Sequence, residues 1–145
     1  MATDDNAVAE RLRAIRHRGH LNFQTTDIAS AIGRVQLKKL SGYLETRAQV
    51  AQFYREALER LVSLQYVPMY VQTHVNMMFP IFVDDPKLVA ARLRKLGVDT
   101  RLGWPPLNDM RAAKYVSSHI LTLPIYNTMP DTETEYVIKC VKKSL

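Results

Sequence analysis

Apolar positions along this chain change their period near its midpoint. From Asn6 to Arg18 they fall at helical spacing, with Val8, Leu12 and Ile15 on one side, and Gly19 stops the run. A second helix is predicted after Thr25-Thr26-Asp27, where either threonine can cap and the aspartate suits the positive end of the helix dipole. On it Ile28, Ile32 and Val35 share a face, while Ala29, Ser30, Ala31 and Gly33 keep another face small enough for a close neighbour. Ser41-Gly42 predicts a break. A long amphipathic helix follows over residues 43–64, with Val50, Tyr54, Leu58 and Leu61 as its apolar stripe and Glu56–Arg60 as an i, i+4 pair.

Beyond residue 65 the runs shorten and turn β-like. HVNMMFPIFV, His74 to Val83, predicts a buried strand with an edge or bulge at Pro80, which cannot donate to a ladder. DDPKLVAARLRKLG predicts a helix capped by Asp85, with Pro86 in its first turn and Gly97 ending it. Val98 to Leu102 and His119 to Leu123 predict two further strands, with Trp104-Pro105-Pro106 as loop between them, and Asp131 to Lys143 a closing helix. The pattern predicts an α+β fold: long N-terminal helices, residues 1–64, then a small domain, residues 65–145, with a short, mainly antiparallel sheet. Together they are expected to form one compact unit.

Composition narrows the chemistry more than the fold. The chain has 145 residues, enough for one domain with a core, and 47% hydrophobic with 23% charged residues is a globular balance. No run is long and apolar enough to span a bilayer, and Met1 to Arg18 is polar and arginine-rich, unlike a secretory leader. Cys140, the only cysteine, excludes an internal disulfide and suits a reducing cytoplasm; its amphipathic surroundings predict a buried structural thiol. The net charge of +6 admits nucleic acid, phosphorylated small molecules or an acidic partner and selects none. The densest basic run, RLRAIRHRGH, reads as the solvated side of a helix, with a phosphate-facing surface as the alternative and nucleic acid a minor option for want of interleaved aromatics.

Catalytic constellations are scarce. His17, His20, His74 and His119 lack metal-ligand spacing, and one cysteine cannot complete a zinc site. There is no Gly-rich phosphate loop and no Gly-x-Ser-x-Gly elbow. Asp4-Asp5 and Asp84-Asp85 stand at helix starts, where capping accounts for them.

One segment says more. NFQTTDIASAIGRVQLKKL, Asn22 to Leu40, has the form Asn-aromatic-x-x-Thr-Asp-Ile-x-x-Ala-Ile-Gly-x-x-Gln-Leu-x-x-Leu, and it resembles the sugar aminotransferases of the DegT/StrS type. TDDNAVAERLRAIRHRG on one side and RAQVAQFYREALERL on the other, with Arg47 and Tyr54 in the expected places, are similar to the same family. So are LVAARLRKLGVDTRLGWPPLN and HILTLPIYNTMPDTETEYVIKCVKKSL, so that the resemblance covers nearly all of the chain. It implies the C-terminal domain of the pyridoxal-phosphate aminotransferase fold, with the helix after Asn22 close to a dimer interface and the cofactor mouth. It covers only the back part of the family. In those enzymes the lysine that bonds the cofactor lies just upstream of the segment that is Thr3-Asp4-Asp5 here. The aromatic that stacks on the cofactor and the acidic partner of its ring nitrogen also lie upstream.

The resemblance therefore implies no catalytic residue in this chain, and no pyridoxal phosphate bound by it alone. It implies that Asn22 donates to the cofactor phosphate of a neighbouring subunit, a reasonable anion contact just ahead of a helix N-terminus. Gln24 and Asn108 take the substrate-facing positions. Gln24 stands where the family has arginine, Asn108 where it has histidine in a Pro-Leu-His loop, and His20 where it has glycine; the loop between Gly19 and Asn22 is short. Lys38, Lys39, Lys87, Lys95, Lys114, Lys139, Lys142 and Lys143 have no flanking pattern of a desolvated pocket. The expected function is the C-terminal portion of a nucleotide-sugar aminotransferase, working as a homodimer or with a separate lysine-bearing N-terminal half. Its substrates would be a nucleotide-linked keto sugar and glutamate, with neither membrane nor nucleic acid as partner. A non-catalytic dimerisation or ligand-binding module is the alternative.

Overall fold

The computed structural model describes residues 3–16, 25–67, 74–107 and 109–145. Two compact units emerge, Met1–Lys39 and Leu40–Leu145. In the first, helix α1 spans Asn6–Arg16. The Asp5 carboxylate caps it, accepting from Ala7 N at 2.9 Å and Val8 N at 3.2 Å. Helix α2, Asp27–Leu58, starts here and runs into the second unit. Thr26 is its cap, its hydroxyl accepting from Ala29 N at 3.2 Å.

The break expected at Ser41-Gly42 does not occur. Gly42 keeps helical geometry, and Thr46 Oγ1 donates back to its carbonyl at 3.1 Å. One glycine costs a helix about 1 kcal/mol, which the packed residues downstream outweigh. The helix also stops at Leu58 rather than Leu64. Ser63–Leu64 instead forms strand β1, leaving Leu61 exposed in the turn between. The Glu56–Arg60 pair is therefore not made, and Glu56 Oε1 accepts from Gln52 Nε2 at 2.6 Å.

The second unit is a four-stranded antiparallel sheet, ordered β1-β2-β4-β3, with helices in the layer over one face. Strand β2 covers only Phe79–Phe82 of the predicted His74–Val83 run. Strand β1 pairs with Phe82 and Ile81 and ends there, so Pro80 faces no β1 residue and its missing donor costs the ladder little. Helix α3, Pro86–Lys95, has the predicted punctuation: the Asp85 carboxylate accepts from Leu88 N at 2.9 Å, and Gly97 ends it at φ 77°. Strand β3 is Arg101–Leu102, shorter than predicted. Helix α4, Arg111–His119, was not foreshadowed, and it takes His119 out of strand β4, Ile120–Leu123. Helix α5, Asp131–Ser144, closes the chain.

Period two sorts the sheet. Phe79 and Ile81 of β2 and Leu121 and Leu123 of β4 are paired across the strands and buried. They meet Val50, Tyr54 and Leu58 of α2, Val89 and Leu93 of α3, and Val137, Cys140 and Val141 of α5 in one core. Cys140 is the buried thiol that the sequence predicted. Tyr54 packs its ring on Phe79, centroids 5.0 Å apart, and donates its hydroxyl to Pro124 O at 2.8 Å. This α+β architecture is the one expected. Among the described residues, no helix is long and apolar enough to cross a membrane.

Candidate functional site

The alternate residues of the same strands build a site on the sheet's other face. Pro80 and Phe82 of β2 pair with Thr122 and Ile120 of β4, and Arg101 of β3 pairs with Thr122, so all five side chains belong to one face. Helix α4 contributes Ala112, Ala113, Val116 and Ser117 as a facing wall, and Met77 and Met78 form a lip. Together they enclose an open groove of about 920 Å³. That is the size of a small-molecule cleft.

Three local devices hold its shape. The Arg47 guanidinium donates to Asn127 Oδ1 at 2.6 Å through Nε and to the carbonyls of Asn76 and Met77 at 3.0 and 3.1 Å. One side chain of α2 thus fixes the methionine lip and the loop after β4. Asn76 sits at φ 48°, a conformation asparagine tolerates, and its side chain shares a hydrogen bond with His74 at 2.8 Å. Gly103 lies so close to α4 that a Cβ there would meet Ser117 O at 2.6 Å. That approach lets Ser117 Oγ donate to Trp104 O at 2.6 Å.

The groove is mainly apolar, with Gln65, His74, Asn76 and Ser117 also in its lining and a charged group at one end. There the Arg101 guanidinium lies 3.9 Å from the centroid of the Trp104 ring. Among the described residues Arg101 has no carboxylate partner; the ion pairs present are Arg94–Asp99 and Lys114–Asp109. The Thr122 hydroxyl beside it also has no hydrogen-bond partner among the described residues. Elsewhere, burial raises the Tyr54 phenol well above its ordinary pKa. Its hydrogen bond to Glu133 raises that of Tyr126.

Asn22, Gln24 and Asn108 all lie outside the described residues. No group of three or more histidine, cysteine, aspartate or glutamate side chains that could hold a metal occurs among those described. The groove itself was not read from the sequence. Its signal was present in ILTL, where a threonine at every-second spacing interrupts an apolar strand, and in the Arg-x-x-Trp of RLGW.

A family model, the DegT/DnrJ/EryC1/StrS aminotransferase family, matches residues 1–142. The dTDP-4-amino-4,6-dideoxy-D-glucose transaminase of Escherichia coli is 27% identical over 84% of this chain and 38% of its own length. GDP-perosamine synthase of Caulobacter vibrioides is 23% identical over 100% of this chain and 47% of its own. The chain thus spans less than half the length of the curated relatives it matches. In fold it is similar to PseC of Helicobacter pylori, an aminotransferase involved in the biosynthesis of pseudoaminic acid. The TM-score is 0.84, with 19% identity over 98% of this chain and 47% of that one. A match from residue 1 to residue 142 reaches into the last described helix, and the chain belongs to the DegT/DnrJ/EryC1/StrS aminotransferase family.

Proposed function

We propose that these residues are the C-terminal portion of a pyridoxal-phosphate-dependent nucleotide-sugar aminotransferase whose cofactor-bonding lysine lies outside these 145 residues. The family match supports the reaction class, and the dTDP- and GDP-sugar relatives support the substrate class. One observation carries the need for an outside amine. Lys38, Lys39, Lys87, Lys95, Lys114, Lys139, Lys142 and Lys143 are all exposed, and none lines the groove. An amine that bonds the cofactor must be held in place and relieved of its proton by burial or a neighbouring cation. All eight lack that setting, and Lys114, the one held by a partner among the described residues, is held by the Asp109 carboxylate. The described residues therefore do not fit the cofactor's bonding site, and no step of transamination is assigned to them.

In this reading Asn22 donates to the cofactor phosphate across a dimer, and Gln24 and Asn108 face a nucleotide-linked keto sugar. Glutamate is the amino donor, and the lone buried thiol suits a reducing cytoplasm. The test is to add pyridoxal phosphate to the 145-residue chain, reduce with borohydride and map the labelled lysines. The expected result is weak labelling spread over exposed lysines; one lysine labelled far above the rest would end the outside-amine reading. Co-expression with a lysine-bearing half, tagging only this chain, should then yield a complex with visible cofactor absorbance that glutamate bleaches. A colourless, self-associated chain under the same conditions would favour a non-catalytic dimerisation module.

A further inference from the structure

The groove on the open face of the sheet is mainly apolar; of its polar lining, His74 and Asn76 bond each other and Ser117 bonds Trp104 O, while one paired set on the sheet stays unused. Arg101 and Thr122 are directly opposed residues of β3 and β4, so guanidinium and hydroxyl stand side by side on the groove face. Neither is spent on a partner among the described residues, except that Trp104 covers one face of the guanidinium. Stacking of that kind occupies the flat face of the guanidinium and leaves its N–H edge free. That edge has the fork geometry that takes a carboxylate through two parallel hydrogen bonds. Arg101 is the one guanidinium or ammonium among the described lining residues, and one carboxylate matches its fork.

The remainder of the groove sets the other half of the ligand. Next along the sheet from Arg101 and Thr122 come Pro80, then Phe82 and Ile120, a flat apolar floor. Facing it, Ala112 and Ala113 of α4 are short side chains that leave room above that floor. Apolar surface beside one charged fork suits a molecule that is flat and apolar at one end and acidic at the other.

We propose that this groove binds a flat aromatic carboxylate, with its ring on Pro80, Phe82 and Ile120 and its carboxylate on Arg101 and Thr122. Every residue in it belongs to the second compact unit. The probe is naphthoate, titrated into the isotope-labelled chain and followed by amide NMR, with uncharged naphthalenemethanol as the matched control. Saturable shifts centred on Phe82, Val116 and Ile120 are expected, with the alcohol binding about tenfold more weakly, the worth of one partly exposed charge-assisted contact. Arg101→Gln should weaken naphthoate about tenfold and leave the alcohol unchanged. Thr122→Val should weaken the acid by a smaller factor, and it keeps the test open if the first variant disturbs the strand edge. Equal binding of acid and alcohol, or shifts centred on Ile28 and Ile32 of α2, would show general apolar adsorption and overturn the proposal. So would the absence of any saturable shift.

Discussion

The two halves of helix α2 carry the same sequence signal and meet opposite fates. Ile28, Ile32 and Val35 recur at helical spacing and are 75, 58 and 50% exposed. Val50, Tyr54 and Leu58 also recur at helical spacing and are 1, 0 and 0% exposed. Periodicity thus reports that a face is apolar and helical, and nothing about what covers it. The difference lies in long-range groups. The second half has a sheet to pack on and Arg47 to anchor it, through acceptors 29 to 80 residues away in sequence. An apolar face left in water is where a protein interface is to be sought.

Substitutions along this one helix would sharpen or break the comparison. Leu58→Ala should cost about 3 kcal/mol, since it leaves a cavity in the core, and denaturant unfolding followed by circular dichroism measures it. Arg47→Ala comes next. It strips two carbonyls and one amide of a charged donor and should cost about 2 kcal/mol. Hydrogen exchange at Asn76, Met77 and Asn127 should accelerate with it.

Tyr54→Phe removes the bond to Pro124 O and the longer one to Met129 Sδ at 4.0 Å, and should cost about 1 kcal/mol. It also carries a pH signature. The folded state raises the Tyr54 pKa above its unfolded value of 10.0, so it holds the proton more tightly than the unfolded chain does. That contribution is complete below about pH 10 and is lost as the pH rises through the folded value. Urea midpoints of the parent chain should fall above pH 10, and those of the phenylalanine variant should fall less, the residue being the smaller share due to Tyr126.

At the bottom of the series, Ile32→Ala should change stability by less than about 0.5 kcal/mol. Its effect belongs in association: sedimentation of the chain with any partner should respond where unfolding does not. A loss near that of Leu58→Ala would mean the first half is already covered, and the contrast between the halves would collapse.

What could be read from the chain follows the same division. Caps and breaks are local chemistry, so Asp85, Gly97 and the α+β order were legible. The continuity through Ser41-Gly42 was not, because tertiary packing overrode a weak local preference. Helix α4 was missed for want of a cap: at its start Met110 makes no side-chain capping bond. The open-face groove depends on register between strands some 20 to 40 residues apart, which no window along the sequence contains. The residues assigned from resemblance, Asn22, Gln24 and Asn108, stay with that resemblance, for they fall outside the described residues.

The sheet's borders have a consequence for behaviour in a crowded solution. Its outermost strands, β1 and β3, are each two residues long. Among the described residues, a border that short offers a passing strand almost no template to extend, which disfavours edge-to-edge stacking at this sheet.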